Sequence, residues 1–391
     1  MRLDGFEVFV VGGGVGGLAA ALALRGRGAS VTLLEQSAEI AEVGAGLQIS
    51  PNGVAVLDAL GLGAEIAARG VAARAVSLRR HQDGAEVTRM DLGRLAPDRR
   101  YLFLHRADLI DVLAEGARAA GVRLRLLQQV TGIEEGPRPA VVTAQGVRSD
   151  ADLVVGADGV RSRLRGHLNG AAPPRFTGQV AWRALVPGPA DHPPEAWVHM
   201  GPGRHLVSYP LRGGALVNLV AVEERRSWAE EGWHHRDHPD NLRAAFAAFG
   251  GAVPGLLAAV EDVHLWGLFR HPVATRWHGD GVAILGDAAH PTLPFLAQGA
   301  NLALEDAWVL ADALAGAETR EAGLAAYQAR RRARAARTVA AASRNAWKYH
   351  LRPGPIRLAG HAALGLAGRF APGALLAGFD WLYGHDVTRE A

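Results

Sequence analysis

The sequence predicts an α/β fold in which a parallel-sheet domain is interrupted by a β-rich insertion and followed by a helical C-terminal region. Three observations predict it. The chain of 391 residues opens with two apolar strand-like runs joined by a Gly-rich turn and a helix. Four further strand-like runs follow a Pro-rich stretch near residue 171. An apolar run at 281–285 then resembles the first strand and leads into Ala-rich helices over 299–350.

Taken in order, 6–11 reads as a buried strand, 12–17 as a turn, 18–24 as the start of a helix and 30–35 as a second strand. Such a β-α-β unit within about 30 residues implies a parallel sheet. Pro51 precedes a short helix at 52–60, and 74–80 with 85–92 form a hairpin around Asp83-Gly84. Helical periodicity over 107–120 stops at Gly121, and 122–127, 140–144 and 152–155 are strand-like. The runs 179–186, 195–200, 204–210 and 215–222 are separated by turn signals and predict a mixed or antiparallel sheet. This order predicts a discontinuous nucleotide-binding domain of residues 1–73, 100–170 and 275–350. A β-rich domain takes 74–99 and 171–274, and a C-terminal segment takes 351–391.

Hydrophobic residues make up 49% and charged residues 21%, so a packed core is expected. No Cys is present. That excludes a disulfide framework, a thiolate metal site, a Cys nucleophile and a dithiol redox relay. The formal charge is only +3, and all basic residues except Lys348 are Arg. This skew resembles codon bias, and no nucleic-acid partner is expected. The start of the chain is not a secretory signal. The apolar stretch 358–368 is too short for a bilayer, which needs ~20 residues. A cytoplasmic protein, monomer or homodimer, without a membrane partner is the expectation.

Three motifs carry chemistry. Gly12, Gly14 and Gly17 match G-x-G-x-x-G between a strand and a helix, and Glu35 ends the next strand. Missing side chains let the backbone approach a pyrophosphate at the helix N-terminus, and the acid accepts from ribose hydroxyls. Strand, turn, helix, strand and acid in that order define a Rossmann-like dinucleotide-binding unit. In the second motif a strand at 152–155 runs into Gly156-Ala157-Asp158-Gly159. In the third, Gly286-Asp287 follows a strand, and a Pro- and Gly-containing loop reaches Gln298-Gly299-Ala300-Asn301 at a helix start. Asp287 suits a polyol, and that helix start offers free N–H groups to developing negative charge.

In this order and spacing the motifs resemble the single-component (group A) FAD-dependent aromatic hydroxylases, over most of the chain. The resemblance implies FAD as cofactor, NADH or NADPH as electron donor, and hydroxylation by O2 through a C4a-hydroperoxyflavin. It also implies cofactor contacts for Gly12, Gly14, Gly17, Glu35, Gln36, Ala45 and Gly46. Arg106, in His105-Arg106-Ala107-Asp108, resembles the flavin-contacting arginine. Asp158 resembles the acid of the motif serving FAD and nicotinamide, and Asp287 the ligand of the ribityl or ribose region. Pro294, Gly299, Ala300 and Asn301 resemble the wall beside the isoalloxazine. The stretches 43–52, 297–301 and 380–386 are similar to salicylate, 3-hydroxybenzoate and 6-hydroxynicotinate hydroxylases. The chain departs from some of these at Pro294-Phe295, where they carry a polar side chain.

In an extended strand His205 and Tyr209 share a face, about 13 Å apart or less at ~3.3 Å per residue. Relatives that hydroxylate phenols carry a comparable pair toward the substrate. A His near pKa 6.5 takes a phenolic proton, which makes the ring a better electron donor, and Tyr209 offers a hydrogen bond. Arg183 is a candidate partner for a substrate carboxylate, and Phe295 a candidate substrate wall. His290 reads as a brace of the Gly286-Asp287 loop. His234, His235 and His238 with Asp237 and Asp240 lie in a polar region, and no metal is expected there. Arg330, Arg331, Arg332, Arg334 and Arg337 read as a solvated helix face.

The sequence thus leads to an FAD-dependent monooxygenase acting on a small phenolic aromatic or heteroaromatic acid. Its rivals are a flavin monooxygenase hydroxylating or epoxidising a larger natural product, and a non-catalytic FAD-binding regulator. A flavin disulfide reductase is excluded by the missing Cys pair.

Overall fold

The computed structural model describes residues 2–40, 45–189, 191–225 and 235–390, with the side chains of Ala346 and Trp347 outside that description. Its first layer is a six-stranded sheet in the order His278–Gly279, Val282–Ile284, Leu153–Gly156, Glu7–Val11, Ser30–Leu34, Arg123–Arg125. All neighbours are parallel except the first pair. Parallel strands are buried on both faces. Accordingly Val282–Ile284 and Leu153–Gly156 are buried throughout. Helix Val15–Arg25 packs between this sheet and helix Gly299–Gly316, and its Ala-rich face lets the two helices come close.

The second layer is an eight-stranded sheet. Its order is Arg236–Asp237, Val263–Arg270, Arg175–Pro187, Leu216–Glu224, Arg204–Leu211, Glu195–Gly201, Ala75–Arg80, Glu86–Asp91. Neighbours are antiparallel except Ala75–Arg80 against Glu195–Gly201, so the sheet is mixed. The period of two along each strand sorts its side chains. Trp182, Ala184, Leu206, Leu219 and Ala221 pack on the outer face with Leu256 of the short helix Val253–Ala258 and with Phe246 and Phe249 of the connection that precedes it. Arg183, His205, Val207, Tyr209, Val220 and Val222 line a cavity on the other face.

Two small sheets complete the strand set: Gly46–Ile49 with Leu102–His105 and Val71–Ala72, and Val130–Glu134 with Ala140–Thr143 and Arg148–Asp150. The 30-residue helix Arg320–Tyr349 crosses the molecule, followed by helices Pro355–Phe370, Pro372–Ala377 and Asp380–Tyr383. Helix Pro355–Phe370 lies on the hairpin strand Glu86–Asp91, where a Cβ at Gly368 would stand 2.4 Å from Thr88 Oγ1. Among the described residues no helix is long and apolar enough to cross a membrane.

The basic run on the long helix differs from expectation. Arg332 and Arg337 are exposed, but Arg331 is 1% exposed and Arg334 is half-buried. Arg331 Nε donates to Asp306 Oδ1 at 2.7 Å, and its Nη1 lies 2.6 Å from Glu305 Oε2. Arg334 donates to both Glu305 oxygens at 2.8 Å. The long helix packs along Gly299–Gly316, so the face that meets Glu305 and Asp306 is taken out of water. Of the His/Asp cluster, His234 lies outside the described residues. Asp237 accepts from Trp182 Nε1 at 2.7 Å and Asn241 Nδ2 at 2.6 Å, so it holds the sheet to helix Pro239–Ala245.

Candidate active site

The first strand ends at Gly12, whose φ is +106° and whose Cβ would lie 2.4 Å from the Ala157 carbonyl oxygen. A Cβ on Gly17 would lie 1.9 Å from the Gly12 carbonyl oxygen. These two glycines therefore serve backbone packing, and Gly17 stands behind the cavity wall. Gly14 differs, because nothing lies within 4 Å of its Cβ position. It leaves an open approach to the N-terminus of helix Val15–Arg25. Glu35 steadies this turn: its Oε2 accepts from Gly13 N at 2.6 Å and its Oε1 from Ser37 N at 2.8 Å. Glu35 and Gln36 also line the cavity.

Asp158 sits at the end of Leu153–Gly156. It accepts from the Ser162 hydroxyl at 2.5 Å and from Arg163 N at 2.8 Å, tying down the start of helix Arg163–Asn169. Burial pushes its carboxyl up against the opposing effect of these bonds. The half-buried Asp287 carboxyl is also pushed up by desolvation, with His290, Arg106 and His271 acting against the rise. His290 faces away from the cavity. Its Nε2 lies 2.5 Å from Asp306 Oδ2, which also accepts from Gly286 N at 3.0 Å. Arg106 starts helix Arg106–Ala119, and its N donates to the Ala45 carbonyl at 2.9 Å. Burial and the neighbouring Arg183 lower its guanidinium to about 10, with Asp287 opposing.

The loop 294–301 forms a turn at Pro294–Leu296, passes through Ala297 at φ +53° and enters helix Gly299–Gly316. Pro294, Phe295, Gly299 and Ala300 line the cavity, as does Gly46. Asn301 and Ala45 do not. Asn301 is wholly buried: its Oδ1 accepts from Ser50 N at 3.0 Å, and its Nδ2 donates to the Ala297 carbonyl at 2.8 Å. It holds the loop against the strand end at 49–50. Ala45 acts through its carbonyl on Arg106.

On the sheet side, His205 is 2% exposed and Tyr209 is buried. The His205 ring centroid lies 5.7 Å from Phe295 and 5.2 Å from Tyr349. His205 Nδ1 is 2.7 Å from His350 Nε2, and His350 Nδ1 is 2.9 Å from Glu224 Oε1. Burial, and then His350, hold the His205 ring well below the usual imidazole range. Tyr209 packs 5.1 Å from the Phe103 ring, and burial pushes its hydroxyl up while Arg183 and Asn218 oppose. The Arg183 guanidinium stands 4.9 Å over the Trp266 ring. His350, Glu224, Tyr349 and Trp266 were not found by sequence reasoning. His350 lies 145 residues from His205, and no local spacing connects them.

The cavity joining these groups has a volume of about 980 Å³. It runs from Gly12–Gly16 and Glu35, past Arg106, Asp287 and Gly299, to His205 and Tyr209. Its donor set fits FAD. The open cradle at Gly14 and the adjoining helix N-terminus suit a pyrophosphate, and Glu35 and Asp287 suit sugar and polyol hydroxyls. Only Asp287 Oδ1, at 4.0 Å, approaches the Cβ position of Gly299, so the second helix start is open as well. A Cβ at Gly14 would enter the cradle with no protein atom within 4 Å. Gly14→Val is therefore expected to fold normally and lose most bound flavin, checked by flavin absorbance per chain and thermal unfolding of the apoprotein.

The fold and this chamber define an FAD-binding enzyme whose reaction space lies between a Rossmann-type sheet and a mixed sheet. Comparison with known proteins agrees. A family model described as an FAD binding domain matches residues 5–342. The 3-amino-4-hydroxybenzoate 2-monooxygenase PtmB3 of Streptomyces platensis is 36% identical, over 98% of this chain and 96% of that protein. The 3-hydroxybenzoate 6-hydroxylase of Klebsiella oxytoca is 36% identical, over 88% of this chain and 89% of its own. A solved salicylate hydroxylase substrate complex superposes with a TM-score of 0.82 at 25% identity, covering 98% of this chain and 97% of that one. The chain belongs to the FAD-binding monooxygenase family and is an FAD-dependent monooxygenase of the aromatic hydroxylase type.

Proposed function

We propose that this enzyme hydroxylates a small phenolic aromatic or heteroaromatic acid, with NADH or NADPH as electron donor and O2 as co-substrate. One observation carries the reading: a buried imidazole, His205, and a half-buried guanidinium, Arg183, line the same chamber beside the apolar wall of Phe295 and Trp266. A phenol needs the first and a carboxylate the second. The substrates named for the two relatives above carry both groups.

Bound FAD, reduced by the nicotinamide cofactor, supplies the activation of O2 for transfer of one oxygen atom to the ring. The chain's own residues prepare the substrate. Arg183 pairs with the carboxylate and fixes the ring in the chamber. Tyr209 donates a hydrogen bond to a substrate oxygen. His205, neutral at pH 7 because burial holds its ring below the usual range, takes the phenolic proton on Nε2. Phe295, Val207, Val220, Val222 and Tyr349 keep water from the reacting face.

The test is a panel of hydroxybenzoates, aminohydroxybenzoates and hydroxypyridine carboxylates, scored by substrate-stimulated NAD(P)H oxidation and product mass. At least one is expected to give a product heavier by one oxygen atom. Stimulation only by larger, non-phenolic compounds would overturn the reading. Arg183→Gln is expected to raise KM for the carboxylated substrate roughly 10- to 100-fold, the loss of a charged hydrogen bond, with a smaller effect on kcat. Steady-state kinetics against the matching decarboxylated phenol check this, since that compound's KM should not change.

A further inference from the structure

His205, His350 and Glu224 stand in line from the chamber to the surface. His205 Nδ1 lies 2.7 Å from His350 Nε2, and His350 Nδ1 lies 2.9 Å from Glu224 Oε1. The His350 side chain is 2% exposed, whereas the Glu224 side chain is 45% exposed. We propose that His205, His350 and Glu224 form a proton relay that carries the substrate's phenolic proton from the chamber to bulk water. The proposal rests on the phenolic-acid reading above and adds two positioning residues to it, His350 and Glu224.

The order of donors follows from the outer end. An ionised carboxylate only accepts, so His350 must carry its hydrogen on Nδ1. Neutral His350 then has a lone pair on Nε2 and accepts from His205 Nδ1–H. That leaves the lone pair of His205 on Nε2, the nitrogen not engaged by protein. A surface carboxylate thereby sets the tautomer of a buried ring two residues inward, and the ring meets the substrate as a base.

The chamber makes the relay necessary. A proton held on His205 would leave an imidazolium between Phe295 and Tyr349, paired with the phenolate it has just made, and that pairing would hold back the electron donation the ring needs. The line removes it. The substrate O–H bond breaks as His205 Nε2–H forms. The Nδ1 proton of His205 passes to His350 Nε2, the Nδ1 proton of His350 passes to Glu224, and water takes it from the carboxyl. No electrons change hands and both rings end neutral with reversed tautomers. The same path run inward reprotonates the product oxygen and restores them.

Burial keeps both rings neutral at rest. Burial lowers His350, Glu224 opposes this, and Arg204 adds to it. Arg204 is itself paired with Glu223 at 3.1 Å. The Tyr349 hydroxyl is pushed up to about 12 by burial and stays protonated.

The experiment uses FAD-loaded wild type, Glu224→Gln and His350→Phe, with 3-hydroxybenzoate and 3-amino-4-hydroxybenzoate as probes. Proton release on binding is followed by an indicator dye in stopped flow, and kcat is measured from pH 6 to pH 10. Wild type is expected to release a proton rapidly on binding. Glu224→Gln keeps an acceptor for His350 Nδ1 but takes no proton. Both variants should slow the release, and kcat near pH 7, about 10-fold, recover at high pH, and leave KM and flavin content unchanged. Wild-type release and pH profile in both variants would overturn the relay, as would a loss uniform across pH. If wild type turns over no member of the hydroxybenzoate, aminohydroxybenzoate and hydroxypyridine carboxylate panel, the phenolic-acid reading falls and the relay falls with it. If wild type is active and only the variants behave as wild type, the relay alone falls.

Discussion

Arg331→Met is expected to destabilise the enzyme by about 3–5 kcal/mol, the cost of leaving buried charges without their partner. Arg331 touches both Glu305 and Asp306, and all three side chains are 1% exposed or less. Burial alone would push the two carboxyls up. For Glu305, Arg331 and Arg334 outweigh it, and for Asp306, His290 and Arg331 do, bringing each to about 2. Both folded values lie below the unfolded carboxyl range of about 4. Their stabilisation is therefore fully present above pH ~4–5 and is lost as pH falls from there toward 2. In Arg331→Met the acid-unfolding midpoint should move to higher pH, and the urea midpoint at pH 7 should fall. The damage should also reach the cofactor. Asp306 holds His290 and Gly286 N, and Gly286 precedes Asp287. Asn52 Nδ2 donates to Glu305 Oε1 at 2.6 Å, so helix Pro51–Ala59 is tied to the same network. Weaker FAD retention should accompany the lower stability. Unchanged urea and acid midpoints would show that the network contributes nothing net.

His205→Ala is expected to lower kcat for a phenolic substrate about 10²-fold near pH 7, at the lower end of what a positioned base contributes. The sign of the pH dependence follows from the base. Neutral His205 is active, and its ring is held below 6.5 by burial and His350, so the wild-type acid limb should lie below pH 6.5. In the variant that limb disappears. The rate instead climbs toward the phenol's own ionisation, near 10 for an ordinary phenol. Flavin content should not change, because His205 lies on the sheet side of the chamber, away from the Gly12–Gly16 turn. Full turnover by His205→Ala at pH 7 would remove the base from the mechanism and favour a non-phenolic substrate.

Much of this was legible in the chain because it is local. The β-α-β opening and the two later strand ends are short-range patterns, and Gly12, Glu35, Asp158 and Asp287 all reach one cavity. The alternation that put His205 and Tyr209 on one face is a property of any strand. Arg331 and Arg334 were misread for a corresponding reason. Periodicity shows that a helix has a charged face, but not that another helix brings Glu305 and Asp306 onto it. Asn301 stands at the right place in the loop, yet which way its amide turns was decided by Ser50, some 250 residues earlier.

The amino-acid sequence by itself determined the fold class, the cofactor motif and the candidate base, since these depend on residue type and on spacing within one element. Only the tertiary structure decided what that base is joined to. His205, His350 and Glu224 come from two strands and the end of a long helix, and hydrogen bonds of 2.7 and 2.9 Å between them exist only once the sheet and helix have packed. A donor order running from surface to chamber is a property of contacts, and no spacing along the chain encodes it.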